Sequence, residues 1–470
     1  MKFIALGGIS CEATYVHADT EADVDKALAS CQSVVLRGEG SGGVIPWTTP
    51  KFITCQGLEI TSADNNKVCE VALDPALTAN PRALTIHAND VSLNRFAMRT
   101  TVPPEESTSY GIAFDENVPA KGHRLQLQDL EVSGFQRCLT RDGGAGSTPL
   151  EDVLLERCFI HSFTNHGAYI NYGFTRLHAK NSRFFGRVGS EKHATHDAFY
   201  GGSNWTDCLL EDCEFGYVTH MGAEVTNAGY ISTGIDQRRT KFVRCFAHDC
   251  GSFGFSSGFC KGVLFDTCTA KDVQGAGFEI AGRHPQYVPQ PGEPPTPDDG
   301  YAQGTLHGCI VDGVTGPGSD AAGYTIDGAF DVHVSGPTQI SNISSAFNPA
   351  GAHGIQIHAC ERVHVRGAVI KYYGGHGIRI RRLFSNNASG FHVLEGNSFY
   401  NKVGDVERVG IYIEDTTASL RNNINWAAPG TTMNNQANTA RPARAIVDGV
   451  AAPAGLVYLA GSNVTIPQQP

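Results

Sequence analysis

The sequence has no long apolar run and little positive charge. Nowhere do about 18 apolar residues follow one another, as a membrane-spanning helix needs, so we expect no membrane insertion. Lys and Glu are sparse, whereas Gly reaches 54 of 470 residues, which argues against long solvated helices. The formal net charge of -11 argues against nucleic acid as a partner, and it is compatible with a polymer that is neutral or recognised locally.

The cysteines lack metal-ligand spacing. In the stretch "KFVRCFAHDCGSFGFSSGFC", Cys245, Cys250 and Cys260 have no partner at a spacing such as CxxC, so we predict no metal site and no cofactor. A disulfide framework is disfavoured because such frameworks belong to small secreted domains that are short of core. The hydrophobic content here is 41%, which is enough for a large core.

The N-terminus also lacks a clear export signal. A secretory signal needs an apolar region of about 7–15 residues and a small-residue cleavage site. The opening "MKFIALGGISCEATYVHADT" has one Lys and only the marginal apolar stretch "FIALGGIS". We therefore expect no signal peptide.

One short pattern recurs along the chain: glycine, an apolar residue, any residue, and a second apolar residue. From 167 to 277, and again from 323 to 410, neighbouring copies start 23 to 33 residues apart. The clear copies are GIAF at 111, GAYI at 167, GAEV at 222, GFEI at 277, GYTI at 323, GIQI at 354, GIRI at 377 and GIYI at 410. DAFY at 197 and GFSS at 254 are weaker copies, and the regular spacing indicates a repeat architecture.

A second strand-like segment accompanies the repeat. Six such segments read LERCFI, AKNSRF, LEDCEF, FVRCFA, FDTCTA and LHGCIV. Their fourth position holds Cys158, Ser182, Cys213, Cys245, Cys268 and Cys309. Because a free cysteine behaves as a small hydrophobe, we predict that these cysteines point inward, unoxidised, stacked turn upon turn.

Period-2 alternation, glycine-rich corners and coils of about 20–35 residues predict a β-solenoid. The pattern resembles the right-handed parallel β-helix of the pectate-lyase-like superfamily, over residues 20 to about 426. The resemblance implies an all-β fold. It does not name a function, because this superfamily hosts many.

The two ends and one insertion define the expected organisation. "DTEADVDKALASCQSVVLRGEG" starts with acidic residues, places Val24, Ala27 and Leu28 at helical spacing, and ends in a strand. It predicts a short helix that caps the open core, within residues 1–35, and it is similar to the start of the β-helix in phage tailspikes. We place the β-helix at 36–426, a loop with six prolines at 283–304, and a C-terminal cap or oligomerisation arm at 427–470.

The variable positions of the glycine repeat should face outward, because side chains alternate along a strand. The first such column reads Tyr169, Phe199, Glu224, Ser256, Glu279, Thr325, Gln356, Arg379 and Tyr412. The second column includes Thr226, Asp327, His358 and Arg381. Aromatic residues therefore come first, followed by two carboxylates two turns apart, and then Asp327, His358 and Arg381 on successive turns.

This order is typical of a surface that binds and cleaves sugars. At about 4.8 Å a rung, the backbones of Glu224 and Glu279 should be roughly 9–10 Å apart, and inverting glycosidases hold their two carboxyls about 6.5–9.5 Å apart. One carboxyl would protonate the leaving oxygen while the other activates water. We expect Tyr169 and Phe199 to stack on sugars. We expect Arg379 and Arg381 to hold acidic groups of the glycan.

Two further groups lie on loops beside this face. They are His196 with Asp197 in "EKHATHD", and Asp236 in "YISTGIDQRR". A purely structural explanation remains open for every one of these residues. An outward Glu is usually only solvated, and an Asp-His-Arg run often forms a surface ion-pair ladder. Carboxylates are not clustered on adjacent rungs, so no calcium cage of the kind found in pectate lyases is visible.

These observations predict a phage tailspike-like protein that binds, and cleaves, a bacterial surface polysaccharide. Such glycans lie outside cells, and a phage protein released by lysis needs no signal peptide, so we expect a virion (phage tail) or extracellular location. The resemblance implies a homotrimer. Two alternatives stay open: a non-enzymatic structural or adhesive virion component, and a bacterial polysaccharide lyase or hydrolase whose signal has been removed.

Overall fold

The computed structural model describes most of the chain, with gaps in loops and near both ends. Within the described ranges, side chains are described up to residue 423, apart from 237–238, 414 and 417. The described residues are 15–39, 42–62, 67–73, 81–102, 108–115, 124–143, 147–186, 196–226, 237–282, 302–316, 321–345, 351–381, 391–400, 410–414, 417–426, 433–436, 444–447, 450–451, 455–457 and 464–465.

The chain winds into a right-handed parallel β-helix with three long sheets, so the predicted fold class is confirmed. Each coil contributes one strand to each sheet, and strands of successive coils pair in parallel. Among the described strands, the antiparallel pairs are Met433–Gln436 with Gly455–Val457 and Arg444–Val447 with Val450–Ala451. The stacking buries the apolar residues of every coil in one continuous core.

Sheet A contains 17 strands. They are Tyr15–Ala18, Ser33–Leu36, Glu59–Ser62, Ser92–Asn94, Leu125–Gln128, Val153–Glu156, His178–Lys180, Leu209–Glu211, Lys241–Val243, Val263–Asp266, Ala302–His307, Ala329–Ser335, His364–Arg366, Phe391–Glu395, Thr417–Arg421, Arg444–Val447 and Val450–Ala451.

Sheet B contains 15 strands. They are Val44–Trp47, Val68–Val71, Ala97–Thr100, Glu131–Ser133, Phe159–His161, Arg183–Phe185, Glu214–Val218, Phe246–Cys250, Thr269–Val273, Ile310–Gly316, Gln339–Ser345, Val369–Tyr373, Ser398–Tyr400, Ile424–Trp426 and Val464–Thr465.

Sheet C also contains 15 strands and carries the glycine repeat. They are Lys51–Ile53, Arg82–Ile86, Tyr110–Phe114, Arg137–Arg141, His166–Tyr172, Phe199–Ser203, Ala223–Thr226, Phe255–Gly258, Ala276–Ala281, Ala321–Asp327, Ala352–His358, Ile378–Arg381, Ile411–Glu414, Met433–Gln436 and Gly455–Val457. Two small parallel pairs, Leu150–Glu151 with Phe174–Thr175 and Gln237–Arg238 with Cys260–Lys261, lie outside these sheets.

The repeat glycines are required by close approach between coils. A Cβ on Gly323 would lie 2.6 Å from the carbonyl oxygen of Gly354, and a Cβ on Gly354 would lie 2.5 Å from that of Gly377. Neither separation is possible for a real side chain, because the neighbouring backbone cannot move away. The glycine column therefore marks a line within sheet C where one coil lies too close to the next for a Cβ atom.

The predicted cysteine column is present at a corner before sheet B. Cys158, Cys213, Cys245, Cys268 and Cys309 are buried free thiols. The Sγ atoms of Cys245 and Cys268 each lie 3.3 Å from a backbone carbonyl oxygen of the preceding coil, Leu210 O and Phe242 O respectively. A thiol is small enough for this corner and its weak S–H donor satisfies a carbonyl there.

One disulfide occurs among the described cysteines. Cys31 pairs with Cys55, 24 residues along the chain, beside the capping helix. Eleven other described cysteines are free. The structure therefore adds a single crosslink at the N-terminal end to a sequence for which no disulfide framework was expected.

The N-terminal helix caps the core as predicted. It spans Glu21–Ala29, starts at a capping box formed by Thr20 and Asp23, and buries Val24, Ala27 and Leu28. No helix in the described ranges has the length and apolar character that crossing a membrane requires.

The ends of the β-helix extend beyond the predicted bounds. Tyr15–Ala18 already pairs with Ser33–Leu36 in sheet A. After residue 426, the strands Met433–Gln436, Arg444–Val447 and Val464–Thr465 each add to one of the three sheets. Of the proline-rich loop predicted at 283–304, residues 283–301 lie outside the described residues, and Ala302 already begins a strand.

Candidate functional site

The outward side of sheet C carries two columns of side chains set by strand register. The first column reads Tyr169, Tyr200, Glu224, Ser256, Glu279, Thr325, Gln356, Arg379 and Tyr412. The second reads Thr226, Gly258, Ala281, Asp327, His358 and Arg381. From Glu224 onward the predicted order of both columns is therefore confirmed.

Phe199 does not face outward, and this prediction is wrong. Its ring is 0% exposed and packs in the core on Phe184 and Phe215. Tyr200 occupies the outward position instead, because it pairs with Tyr169 on one side and with Glu224 on the other. The segment DAFY sits one residue out of phase with the glycine repeat, and a slip of one residue exchanges the two faces of a strand.

Tyr169 and Tyr200 form one aromatic stack. Their rings are parallel, with centroids 5.1 Å apart. The Arg137 guanidinium covers Tyr169, 3.8 Å from its ring centroid. Both faces of the Tyr169 ring are thus engaged, so a sugar stacking on its face would have to displace one of these neighbours. Tyr169 supports Tyr200 in this arrangement.

Asp197 lies at the centre of a polar cluster where the chain enters sheet C. It is 2% exposed. Its Oδ1 accepts hydrogen bonds from His220 Nδ1 at 2.6 Å and from the backbone N–H of Met221 at 2.9 Å. His166 Nε2 lies 3.7 Å from the other carboxylate oxygen. The carboxylate is thus held rigidly beneath the outward face.

Glu224 lies next to Asp197 and shares a hydrogen bond with it. Burial, followed by the Asp197 charge, raises the pKa of Glu224 to about 8. The Asp197 hydrogen bond also raises the pKa of His220. At neutral pH Glu224 is therefore a carboxylic acid that can donate a proton.

Glu279 lies two rungs further along the same column and has a different environment. Burial raises the pKa of Glu279 as well, but the Ser256 hydroxyl donates a hydrogen bond to its Oε2 at 2.6 Å, which favours the ionised form. Two rungs place the two backbones roughly 10 Å apart. One column thus holds two carboxyls, of which one is kept protonated and the other receives a donor.

Asp327 and His358 occupy adjacent rungs of the second column. Burial raises the pKa of Asp327 to about 6, and its charge in turn raises the pKa of Glu279. His358 is 8% exposed, and its Nε2 lies 2.7 Å from Gln356 Nε2. Asp327 thus adds a third partly buried carboxyl to the pair formed by Glu224 and Glu279.

The remaining predicted residues fall into three places. Arg379 and Arg381 lie at the C-terminal end of the two columns, partly buried. His196 is exposed and its ring stacks on His166, with centroids 4.9 Å apart. Asp236 lies outside the described residues.

A metal ion is one possible occupant of the Asp197 cluster. Asp197, His220 and Glu224 each offer one ligand atom, and these atoms lie within 4.8 Å of one another. The same groups already hydrogen-bond one another, and a cation would have to replace that network. We interpret the cluster as a hydrogen-bonded triad that holds a proton on Glu224.

Sequence reasoning missed the importance of Asp197 and did not find His220. Asp197 was noted only as part of a loop segment, although an Asp directly before a repeat strand was a usable signal. His220 had no such signal. It meets Asp197 only because their coils are adjacent, which a separation of 23 positions in the sequence does not reveal.

The structure can be compared with known proteins at this point. No protein-family model matches the sequence, and no curated protein does either. Among solved structures, the chain is similar to the pre-mature gene product 12 of bacteriophage phi29, with a TM-score of 0.51 and 11% identity over 93% of this chain. The match covers 56% of the phi29 protein. At this identity the likeness concerns the fold alone.

Two further structures match with lower scores. The Dettilon tailspike protein has a TM-score of 0.45 and 14% identity, over 85% of this chain and 68% of that one. The catalytic unit of the α-1,3-glucanase from Streptomyces thermodiastaticus has a TM-score of 0.46 and 12% identity. The match covers 86% of this chain and 65% of the glucanase chain.

Proposed function

We propose that this protein binds a polysaccharide along the outward face of sheet C and hydrolyses its glycosidic bonds. Glu224 is the general acid and Glu279 the general base. The observation that carries the proposal is the pair itself: two carboxyls in one column, one protonated at neutral pH beside Asp197 and one hydrogen-bonded by Ser256. Their two-rung spacing leaves room for a water molecule, as in inverting glycosidases.

The reaction follows from these two environments. Glu224 donates its proton to the glycosidic oxygen while the bond between that oxygen and the anomeric carbon breaks. Glu279 takes a proton from a water molecule, whose oxygen bonds to the anomeric carbon from the opposite side. Glu224 ends ionised and Glu279 protonated, and exchange with solvent restores both. The products are a new reducing end of inverted configuration and a free hydroxyl.

The shape of the surface favours a polymer as the ligand. The outward columns run without interruption from Tyr169 to Arg379, over seven rungs between strands of known register. At about 4.8 Å a rung this is roughly 34 Å. A small molecule would bind better in a concave apolar pocket. Tyr200, backed by Tyr169, is the aromatic residue of the face that lies beside the carboxyl pair.

The test is a pair of isosteric substitutions assayed on a panel of bacterial surface polysaccharides. We expect Glu224→Gln and Glu279→Gln each to lower turnover by roughly 10²–10⁴-fold with glycan binding nearly unchanged, because each removes a proton-transfer group but little volume. Asp212→Asn, on an exposed corner, is the matched control. Reducing ends measure hydrolysis, and ultraviolet absorbance of unsaturated uronates would reveal a lyase instead.

If both variants cleave like the wild type, the acid and base assignment is wrong. If the wild type binds a glycan but cleaves none, the face belongs to a non-enzymatic adhesive component. If it neither binds nor cleaves, the protein is a structural rod.

We also propose a setting: a phage tail protein that is a homotrimer. Support comes from the acidic-led capping helix, which resembles that of tailspikes, and from the fold shared with a protein of bacteriophage phi29. The segment 427–470 is the proposed contact between subunits. Light scattering that gives the 50.2 kDa mass of a monomer at micromolar concentration would contradict the trimer.

A further inference from the structure

A second cluster of polar side chains lies at the C-terminal end of sheet C, away from the carboxyl pair. It contains Arg379, His353, His376 and Tyr412. The ring of His376 lies between the rings of His353 and Tyr412, with centroids 5.3 Å and 4.5 Å away, and all three rings are nearly parallel. Arg379 is three rungs beyond Glu279 in the same outward column.

His353 has an N–H donor beside each of its ring nitrogens. Burial, followed by His376 and Arg379, lowers the pKa of His353 to about 2, so the ring is neutral. The backbone N–H of His376 donates to its Nδ1 at 3.0 Å. A neutral imidazole that accepts at Nδ1 carries its proton on Nε2.

Arg379 competes for the single acceptor of this ring. Its Nη1 lies 3.1 Å from the Nε2 of His353, and a neutral imidazole cannot accept both from Arg379 and from the backbone N–H of His376. Its Nε is buried without a hydrogen-bond partner, and so is Nδ1 of His376. In the described part of the chain, no carboxylate lies within ion-pair distance of Arg379. Leaving the Nε–H of Arg379 without an acceptor is unfavourable, since a buried donor needs a partner.

The neighbourhood explains why a ligand, and not the protein, would supply the acceptor. Four carboxyls, those of Asp197, Glu224, Glu279 and Asp327, lie together in the earlier rungs. The rungs at Arg379 carry neutral histidines around a guanidinium, because burial also lowers the pKa of His376 to about 4. The face thus changes sign along its length.

We propose that Arg379, with His376 beside it, forms a subsite for a carboxylate group carried by a sugar of the bound polysaccharide. The inference rests on the proposal that a glycan lies along sheet C, and it adds that this glycan is acidic. The guanidinium presents paired N–H donors, whose geometry matches that of a carboxylate. The subsite lies roughly 14 Å from Glu279 at about 4.8 Å a rung, so it holds a sugar unit several positions from the scissile bond.

The experiment measures binding and not turnover, in the Glu224→Gln background. The probes are oligosaccharides of galacturonate, of alginate and of hyaluronan, each paired with the same oligosaccharide after reduction of its carboxyl groups to alcohols. We expect at least one acidic probe to bind roughly 10- to 100-fold more tightly than its reduced counterpart, as charge-assisted hydrogen bonds to one carboxylate would give.

Arg379→Gln should abolish this preference while leaving affinity for the reduced probe unchanged. Arg379→Lys should keep part of it and serves if the Gln variant does not fold. Arg183→Gln is the control, because this guanidinium packs on Phe159 in sheet B, 4.6 Å from the ring centroid. The subsite is refuted if no acidic probe is preferred, or if Arg379→Gln keeps the preference. Because binding is measured, a failure of the acid and base assignment leaves this result unaffected.

Discussion

Two sets of carboxylates on this β-helix share the same rung spacing and have opposite environments. On the outward face of sheet C, Glu224, Glu279 and Asp327 are partly buried, and this burial raises their pKa values. At the corners of the coils, six aspartates each pair with an arginine of the following coil. We call these pairs the corner ladder: Asp90–Arg124, Asp129–Arg157, Asp152–Arg176, Asp207–Arg239, Asp212–Arg244 and Asp331–Arg362.

The corner ladder neutralises its own charge. Arg157 donates from Nε and Nη2 to the two oxygens of Asp129 at 2.6 and 2.8 Å, and Arg244 does the same to Asp212 at 2.8 Å for both. These hydrogen bonds lower the pKa values of both aspartates. All four residues have positive φ between 50 and 52°, so they mark the same kind of corner.

The two sets of carboxylates differ in whether they can change protonation near neutral pH. A paired, exposed carboxylate stays ionised at every working pH and can neither donate nor accept a proton in a reaction. A buried carboxyl beside another carboxyl changes protonation near neutral pH, which is what general acid catalysis needs. Ionising the carboxyls of the outward face would cost stability, whereas the ladder contributes modestly to stability.

The largest expected effect is on stability above pH 8. The pKa of Glu224 rises from 4.5 in the unfolded chain to about 8 in the folded protein. The stabilisation from this bound proton is complete below pH 4.5 and is lost as the pH rises through 8. Glu224→Gln cannot ionise, so above pH 8 it should exceed the wild type in free energy of unfolding by about 2–5 kcal/mol. Denaturant titrations at pH 5 and pH 9 would measure this.

The corner ladder provides a control in which the contribution to stability changes with pH in the opposite direction. The pKa of Asp212 is lowered by folding, so its contribution is present above its ordinary pKa and is lost as the pH falls. Asp212→Asn should therefore lower stability slightly at pH 9. If Glu224→Gln were destabilising at pH 9, Glu224 would not be the buried, uncompensated carboxyl described here.

An intermediate effect is expected from Asp197→Asn, which removes the charge beside Glu224. The pKa of Glu224 should fall, so the alkaline limb of the kcat/KM profile should move from about pH 8 toward neutrality. If the limb moves by about two units, activity at pH 7 should drop roughly tenfold. A uniform loss at all pH values, with the alkaline limb unmoved, would mean that Asp197 is only structural.

The smallest effect is expected at the corner ladder itself. Arg244→Gln breaks a bidentate pair that is half exposed, with 50% of the arginine side chain accessible. Such pairs contribute about 0–1 kcal/mol and less at high salt. Thermal unfolding in low and high salt should show a small loss that shrinks with salt. A loss above about 2 kcal/mol would show that the ladder is coupled along its length.

The features that could be predicted from the sequence are those that repeat from coil to coil. Glycine is favoured wherever a Cβ atom would lie within about 3 Å of the next coil's backbone, as at Gly323 and Gly354. The repeat, and with it the fold, could therefore be recognised in a single sequence. The cysteine column was readable for the same reason. Glu224 and Glu279 followed because their strands are in phase with the glycines.

The prediction failed in one strand, where the alignment of the sequence with the glycine repeat was wrong by one residue. In DAFY the glycine is replaced, and the strand is shifted by one residue, which buries Phe199 and exposes Tyr200. Nothing in the four residues indicates the shift. Only the pairing with the strands above and below fixes it, because each strand must match its neighbours in both hydrogen bonds and core packing.

The residues alone predict the β-helix, its capping helix and, from Glu224 onward, the order of side chains along the outward columns of sheet C. All three follow from a repeat in which each coil meets only its neighbours. Which groups have unusual pKa values depends on contacts that form only when the chain folds. Asp197 meets Glu224, His220 meets Asp197, and Arg379 meets a histidine that a backbone N–H also approaches. Those meetings set the protonation of each group, because a pKa depends on burial and on charges brought close by folding, and not on distance along the chain.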